Sequence, residues 1–353
     1  MRYPLEFLNL FDYETAAIGR MKAPVFEYYA GGSADNLTLR DNRAAFERLR
    51  LRPRVLVDVA DVDPAIEILG HRESMPVLIA PTAMARLAHP DGELAIGRAA
   101  ARAGVTQVLS SLSTYSIEEV AGAGANNWFQ LYVYKDRAIS EHLIHRAEEA
   151  GYRALMVTVD LPVPGLRENL TRSGFDPSGL TMSNFTEVAR GRQEGGFFAY
   201  IEDNLDASLT WDDIEWLRSI TDLPVLVKGV LRADDAVRAV EAGVAGIVVS
   251  NHGGRQLDTA IATIDALADV AAAVDGRCEV LLDGGVRRGT DIVKALARGA
   301  RAVLVGRPLL WGLAVAGESG AYDVLEMLRA EVENALALCG APSPGELPPH
   351  LVT

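Results

Sequence analysis

The stretch CEVLLDGGVRRGTDIVKALARGARAVLVGRP, residues 278–308, contains two apolar segments that flank a segment of helical periodicity. The first apolar segment ends in Asp-Gly-Gly, the second ends in Gly-Arg-Pro, and the helical segment closes on a glycine. Near-continuous apolar runs are typical of parallel strands covered on both faces, and a glycine after a helical pattern is a helix-stop signal. This stretch therefore predicts a strand–helix–strand unit.

The same alternation recurs from Pro76 onward and predicts eight strands. The strands are PVLIAP (76–81), TQVLSS (106–111), NWFQLYV (127–133), ALMVTVD (154–160), PVLVKGV (224–230), GIVVSNH (246–252), CEVLLDGG (278–285) and AVLVGRP (302–308). Eight such units favour a (β/α)8 TIM barrel of the α/β class over an open doubly wound sheet, which usually has about five or six strands. We expect a single domain over residues 1–353.

Residues 1–75 precede the barrel and are predicted to be helical, with segments at 5–21, 23–30 and 37–49. The barrel itself spans 76–340, and the tail beyond it is predicted to be irregular. One connection, 161–210 after the fourth strand, is much longer than the others. Because it follows the strand end at which a barrel keeps its chemistry, we interpret it as a lid.

The formal net charge of −14 argues against nucleic acid and membrane surfaces as partners, because an acidic chain gains no long-range attraction to phosphate backbones or anionic lipid. The N-terminal segment carries charges, and no apolar run reaches membrane-spanning length, so we expect a cytoplasmic protein. Cys278 and Cys339 have no disulfide or metal spacing, and no set of His, Asp and Glu repeats at ligand spacing. No metal site is predicted.

The last two strand ends predict a phosphate site. Gly284 and Gly285 allow backbone amides to approach an anion, Arg287 adds a cation, and a helix begins close by. Gly306 and Arg307 supply a second glycine turn with a cation, and the loops after strands seven and eight hold phosphate in many barrels. The alternative is a pair of glycine turns with solvated arginines. The phosphate would belong to a substrate or to a cofactor.

Polar residues also end the other strands. Lys228 ends an apolar strand, so its charge needs compensation. Three interpretations of Lys228 are open. It could place a cation beside an electron-accepting ring, form a Schiff base, or pair with a carboxylate of the barrel. His252 lies in a glycine-hinged turn and is a candidate general base, which Asp160 would orient. Arg255 follows three residues later and presents a fork suited to a carboxylate.

These motifs carry a family resemblance. The chain resembles the FMN-dependent 2-hydroxy acid oxidases and dehydrogenases from Phe26 to Pro308, and SNHGGRQLD with DGGVRRG is the most specific pair. The other matching stretches are FEYYAGGSADNLTLRDNRAAF, RPRVLVDV, MPVLIAPTAM, HPDGELAIGRAA, WFQLYVYKDR, TVDLP, LPVLVKGV and VGRP.

The resemblance implies an FMN-binding barrel, assembled as a homotetramer, that oxidises an L-2-hydroxy acid to the 2-oxo acid. His252 would be the base with Asp160 behind it, and Tyr132 would hydrogen-bond the substrate's hydroxyl or carbonyl oxygen. The residues implied to hold the substrate carboxylate are Tyr28, Arg167 and Arg255. The residues implied to hold FMN are Pro81, Thr82, Ala83, Ser110, Gln130, Thr158, Lys228, Ser250, Asp283, Gly284, Gly285, Arg287, Gly306 and Arg307.

Two positions bear on the substrate and the electron acceptor. Leu112 stands where glycolate oxidase has tryptophan, which favours a longer aliphatic or an aromatic acid unless lid residues refill the space. Ala83 stands where membrane-linked mandelate dehydrogenases tend to have glycine, which favours O₂ as acceptor and H₂O₂ as product. The lid has no apolar run of the kind that inserts into a membrane, which favours the same acceptor. The alternatives are a dehydrogenase with another acceptor, an FMN-dependent isoprenoid diphosphate isomerase and a non-catalytic flavin- or phosphate-binding barrel.

Overall fold

The computed structural model describes residues 7–177, 179–185 and 203–353. Within these ranges the strands are short, with three to six residues each. They are β1 (Ile66–Ile68), β2 (His71–Glu73), β3 (Val77–Ile79), β4 (Gln107–Ser110), β5 (Asn127–Leu131), β6 (Leu155–Thr158), β7 (Val225–Val230), β8 (Gly246–Val249), β9 (Glu279–Leu282) and β10 (Ala302–Val305).

Strands β3 to β10 close into a barrel of parallel neighbours, with β10 paired to β3. The TIM-barrel prediction is therefore confirmed, and each of the eight predicted strands contains one observed strand. Alternate side chains of each strand point inward and form a buried cluster that is separate from the strand–helix core, which explains why both faces are apolar. The barrel's interior residues are Leu78, Ala80, Val108, Trp128, Ala154, Met156, Leu226, Val248, Leu281, Ala302 and Leu304.

Helices precede the barrel and alternate with its strands, as the sequence predicts. They are α1 (Leu10–Ile18), α2 (Ala23–Ala30), α3 (Leu37–Arg48), α4 (Gly92–Ala103), α5 (Ile117–Ala121), α6 (Arg137–Glu149), α7 (Glu168–Ser173), α8 (Trp211–Ser219), α9 (Ala233–Glu241), α10 (Thr263–Val274), α11 (Gly289–Ala297) and α12 (Arg307–Cys339). Helix α12 is interrupted at Ala316 and Gly317, whose backbone angles are not helical. Helix α1 begins later than predicted because Asn9 caps it in a reciprocal capping box with Asp12, and it ends at Ile18, before the C-cap Gly19. Residues 5 and 6 of the predicted helix lie outside the described residues.

The three helical segments predicted within residues 1–75 end at residue 49, and the sequence did not predict the strands that the structure has at 66–73. Here β1 and β2 form an antiparallel hairpin whose turn residues, Leu69 and Gly70, both have positive φ, 48° and 72°. Such a backbone is that of a two-residue hairpin turn, but Leu-Gly lacks the Asn-Gly or Asp-Gly signal that identifies one in a sequence. Ile66 and Ile68 join the interior cluster of the barrel, so the hairpin contributes to that core.

The predicted lid, 161–210, is described only in part, since residues 178 and 186–202 lie outside the described residues. The described part contains α7 and a 3-10 turn at Ser183–Phe185, and Leu205 bridges back to Tyr134 beyond β5. None of the helices in the described ranges has the length and apolar character that crossing a membrane requires.

Candidate active site

The carboxyl ends of the barrel strands open onto a cleft. The fold brings nearly all of the predicted site residues to this cleft, although they come from every part of the chain between α2 and α12. The predicted residues that line it are Tyr28, Pro81, Thr82, Ala83, Ser110, Leu112, Tyr132, Thr158, Arg167, Lys228, His252, Arg255, Asp283, Gly284, Gly285, Arg287, Gly306 and Arg307.

Three predicted residues lie behind the wall of the cleft. Asp160 is placed behind His252, as expected. The buried Gln130 side chain donates from Nε2 to Oγ1 of Thr158 at 3.0 Å, and Ser250 accepts from Lys228. A direct contact of Gln130 or Ser250 with a cofactor therefore stays a prediction.

His252 and Asp160 form the central pair of the cleft, 92 residues apart in sequence. The Nδ1 atom of His252 lies 2.9 Å from Oδ1 of Asp160. Burial alone would raise the pKa of Asp160, but the adjacent His252 outweighs it, so the pKa is lowered and the carboxyl is ionised. A carboxylate on Nδ1 fixes the ring and leaves Nε2 as the nitrogen that can exchange a proton with a bound molecule.

The turn that carries His252 has an unusual backbone. His252, Gly253 and Gly254 follow one another with φ values of 58°, 64° and 74°. A non-glycine residue in this left-handed region is uncommon, and such strain concentrates at functional sites. A Cβ atom at Gly254 would lie 2.6 Å from the backbone nitrogen of Leu39, so close packing on α3 also requires glycine there.

Lys228 is a buried cation with two partners. Its side chain is 5 % exposed, and Nζ lies 3.0 Å from Oδ2 of Asp283 and 2.9 Å from Oγ of Ser250. Burial opposes its charge, but Asp283 and Asp160 outweigh burial and raise the pKa of Lys228 above its usual value. Of the three interpretations, the carboxylate pair is confirmed as a contact. The raised pKa disfavours the neutral amine that a Schiff base requires.

Next to it, Gly229 opens a bulge in the pairing of β7 with β8. Its φ is +119°, and a Cβ atom there would lie 2.5 Å from Cβ of Asp160. Glycine therefore lets Asp160 pack directly against the strand that carries Lys228.

Arg255 is a cation without a carboxylate partner among the residues that the structure describes. Its Nη1 donates to the carbonyl oxygen of Tyr28 at 2.5 Å, and Cζ lies 5.0 Å from the centre of the Tyr28 ring. Burial, with the charge of Arg167 adding to it, lowers its pKa to about 10, so Arg255 stays charged at neutral pH. Burial raises the pKa of Tyr132, with the charge of Asp160 adding to it, so this phenol stays a hydrogen-bond donor.

A second group of positive charges lies next to Arg255, beside the glycine turns after β9 and β10: Arg255 and Arg307 both donate to the carbonyl oxygen of Gly31. Burial lowers the pKa of Arg287, and it lowers the pKa of Arg307 to about 9, where Arg255 and Arg287 add their repulsion. Within the described ranges neither guanidinium pairs with a carboxylate. Half-buried cations beside the backbone amides of glycine turns are stabilised by an anion, so this region of the cleft fits a phosphate group.

The cleft also has residues that the sequence did not single out. Leu161, Pro164 and Leu205 line the cleft together with Leu112, which was predicted and is 9 % exposed. Gln256 lies in the same turn as Arg255, and this adjacency is the signal that could have identified it. In the described ranges no group of three or more His, Cys, Asp and Glu is placed to hold a metal ion.

Fold and site together define a class: a (β/α)8 barrel whose cleft has glycine turns and arginines suited to a phosphate group, beside a His–Asp pair and a further arginine suited to a small anion. The family model described as FMN-dependent dehydrogenase matches residues 17–353, and the chain belongs to that family. Its cofactor is FMN. Arg287, Arg307 and the glycine turns described above, which line the cleft, fit the phosphate of that group.

Relatives of known activity are similar over nearly the whole chain. An L-lactate oxidase from Nostoc sp. is 52 % identical over 344 residues, which cover 94 % of this chain and 94 % of the relative. Glycolate oxidase 3 from Arabidopsis thaliana is 51 % identical and covers 97 % and 95 %. Among solved structures, a crystal structure of mandelate oxidase superposes with a TM-score of 0.90 at 46 % identity, over 96 % of each chain.

Proposed function

We propose that this protein oxidises an L-2-hydroxy acid to the 2-oxo acid with FMN as cofactor and O₂ as acceptor, giving H₂O₂. The observation that carries the proposal is that His252, paired with Asp160, lines the same cleft as Arg255, which has no carboxylate partner in the described ranges, and as the glycine turns after β9 and β10. The relatives named as lactate, glycolate and mandelate oxidases support the same reaction class.

FMN, when bound, accepts the two electrons that leave the substrate's α-carbon. Arg287, Arg307 and the amides around Gly284, Gly285 and Gly306 would hold its phosphate. Lys228, charged and fixed by Asp283, would supply positive charge beside its ring. The remaining residues proposed to hold it are Pro81, Thr82, Ala83, Ser110, Gln130, Thr158 and Ser250.

Arg255 would bind the substrate carboxylate with Arg167 and Tyr28. Arg255 is half-buried, and its guanidinium shares no bond with a protein carboxylate in the described ranges. A substrate anion would therefore form the charge-assisted bond that this cation lacks. The phenol of Tyr132 remains protonated and would donate to the substrate's hydroxyl oxygen.

His252 would take the proton. Oxidation of CH–OH to C=O removes two electrons and two protons. Nε2 of His252 would accept one proton, from the hydroxyl group or the α-carbon, and the two electrons and the other proton would pass to FMN. The imidazolium that forms is stabilised by Asp160, which lies 2.9 Å from Nδ1. This proton transfer is common to hydride and carbanion pathways.

The substrate is proposed to be larger than glycolate, because Leu112 together with Leu161 and Leu205 forms an apolar side of the cleft. A single domain, a homotetrameric assembly, a cytoplasmic location and H₂O₂ as product stay predictions. A dehydrogenase that uses another acceptor is the second candidate.

Anaerobic mixing of the FMN-loaded protein with glycolate, lactate, mandelate and longer aliphatic 2-hydroxy acids tests the proposal. We expect at least one acid to bleach the flavin, and air to restore its colour quickly with formation of H₂O₂. Bleaching followed by slow reoxidation in air would identify a dehydrogenase. A flavin that none of these acids reduces would refute hydroxy acid oxidation and favour the isomerase or a non-catalytic barrel.

A further inference from the structure

The side chain of Gln256 connects the turn that carries His252 to the beginning of the lid. Its Nε2 donates to the carbonyl oxygen of Asp160 at 2.8 Å and to that of Val163 at 3.2 Å. Its Oε1 accepts from the backbone nitrogen of Gly165 at 3.2 Å. Both N–H groups of the amide are thus used within the protein, and neither is left to bind a substrate.

Gly165 shows how closely the two segments approach each other. A Cβ atom at this position would lie 2.3 Å from the carbonyl oxygen of Arg255 and 2.8 Å from Cα of Gln256. Only glycine permits that contact, because any side chain would displace the lid from the turn. Hydrogen bonds and close packing therefore join residues 160–165 to residues 252–256.

The joined segment leads directly to Arg167, which lines the cleft two residues after Gly165. On its other side, the carbonyl oxygen of Leu166 accepts from the backbone nitrogen of Ala34 at 2.7 Å and from Oγ of Ser33 at 3.1 Å. The chain before Arg167 is thus held from two directions, and Gln256 supplies the side-chain bonds on the catalytic side.

We propose that Gln256 is a positioning residue, which holds residues 160–165 against the catalytic turn and thereby places Arg167 for the substrate carboxylate. This inference rests on the proposed function, in which Arg167 binds that carboxylate. A group that orients a binding residue acts alike on ground state and transition state, so its loss raises KM more than it lowers kcat.

The kinetic test uses FMN-loaded Gln256→Met, which keeps the length of the side chain but removes its three hydrogen bonds. We expect KM for the best acid to rise about tenfold while kcat falls by less than about threefold. Gln256→Glu, which turns a carboxylate towards two carbonyl oxygens, should raise KM at least as much. Leu257→Ala is the matched control, since its side chain is 74 % exposed in the same turn, and it should match wild type.

Combination with Arg167→Met shows whether Gln256 acts through Arg167. We expect the double variant to have nearly the KM of Arg167→Met alone, because the group that Gln256 positions is already absent. Fully additive effects on KM would overturn the proposal, and so would a Gln256→Met enzyme with the KM of wild type.

Amide hydrogen exchange of residues 161–167 provides a readout that does not depend on turnover. Exchange should be faster in Gln256→Met than in wild type or Leu257→Ala, because the Gly165 amide loses its acceptor. Unchanged exchange would overturn the proposal, as would faster exchange without any change in KM. If no acid reduces the wild-type flavin, the proposed function and the role of Arg167 in it both fail. The exchange measurement then still decides whether Gln256 holds residues 160–165 against the turn that carries His252.

Discussion

Asp160→Asn is the sharpest perturbation of the proposed chemistry. The substitution keeps the shape of a side chain that lies behind His252 and is 12 % exposed, but it removes the negative charge 2.9 Å from Nδ1. Lys228 retains Asp283 as its counter-ion at 3.0 Å, so the barrel keeps a compensated cation. The change therefore affects mainly the imidazolium that forms when His252 takes the proton.

The expected loss follows from this one contact. A hydrogen bond to a charged group contributes about 1.5–3 kcal/mol, and about 1.4 kcal/mol corresponds to a factor of ten in rate. Because the charge on His252 develops during the reaction, the contact stabilises the transition state more than the ground state. The rate of flavin reduction should therefore fall by about 10- to 150-fold.

Anaerobic stopped-flow reduction of the FMN-loaded variant at saturating acid measures this rate. Asp258→Asn is the matched control, because Asp258 accepts from the backbone nitrogens of Asp35 and Thr38 and does not line the cleft. The control should stay within about threefold of wild type. If Asp160→Asn is reduced as fast as the control, with FMN fully retained, Asp160 does not assist His252 and the assignment of this pair is refuted.

Three further changes test other parts of the site. Arg287→Met should weaken FMN binding about 10- to 150-fold in a fluorescence titration of the apoprotein, because a charge-assisted phosphate contact is lost; an unchanged Kd would contradict the phosphate assignment. Leu112→Trp should lower kcat/KM for mandelate relative to glycolate by about tenfold, and a constant ratio would remove Leu112 from substrate selection. Lys228→Met should lower the free energy of unfolding by about 3–5 kcal/mol in urea, because Asp283 is left buried without its cation, and adding Asp283→Asn should recover part of the loss. A loss in Lys228→Met below about 1 kcal/mol would show that the pair is not stabilising.

The hairpin at residues 66–73 shows where sequence patterns stop being informative. Its strands have three residues each. Its turn residues, Leu69 and Gly70, both have positive φ, but the first is leucine and not the Asn or Asp that identifies such a turn in a sequence. Strands this short carry too few alternations to show period two, and their apolar residues read equally well as helical. Their place in the interior cluster depends on barrel strands that follow them in the chain.

The sequence by itself determined the eight-stranded barrel, because each apolar strand and each amphipathic helix is a local pattern repeated at even spacing. It also determined which residues end the strands, and hence most of the cleft.

The tertiary structure alone decided which of those residues pair. Asp160 pairs with His252 rather than with Lys228, and Lys228 forms an ion pair with Asp283. Gln256 donates a hydrogen bond to the carbonyl oxygen of Asp160. These partners are far apart in sequence, and their contacts depend on strand register, on the bulge at Gly229 and on the left-handed turn at His252. Such features arise from the packing of distant segments against one another, and a local pattern of residues does not encode them.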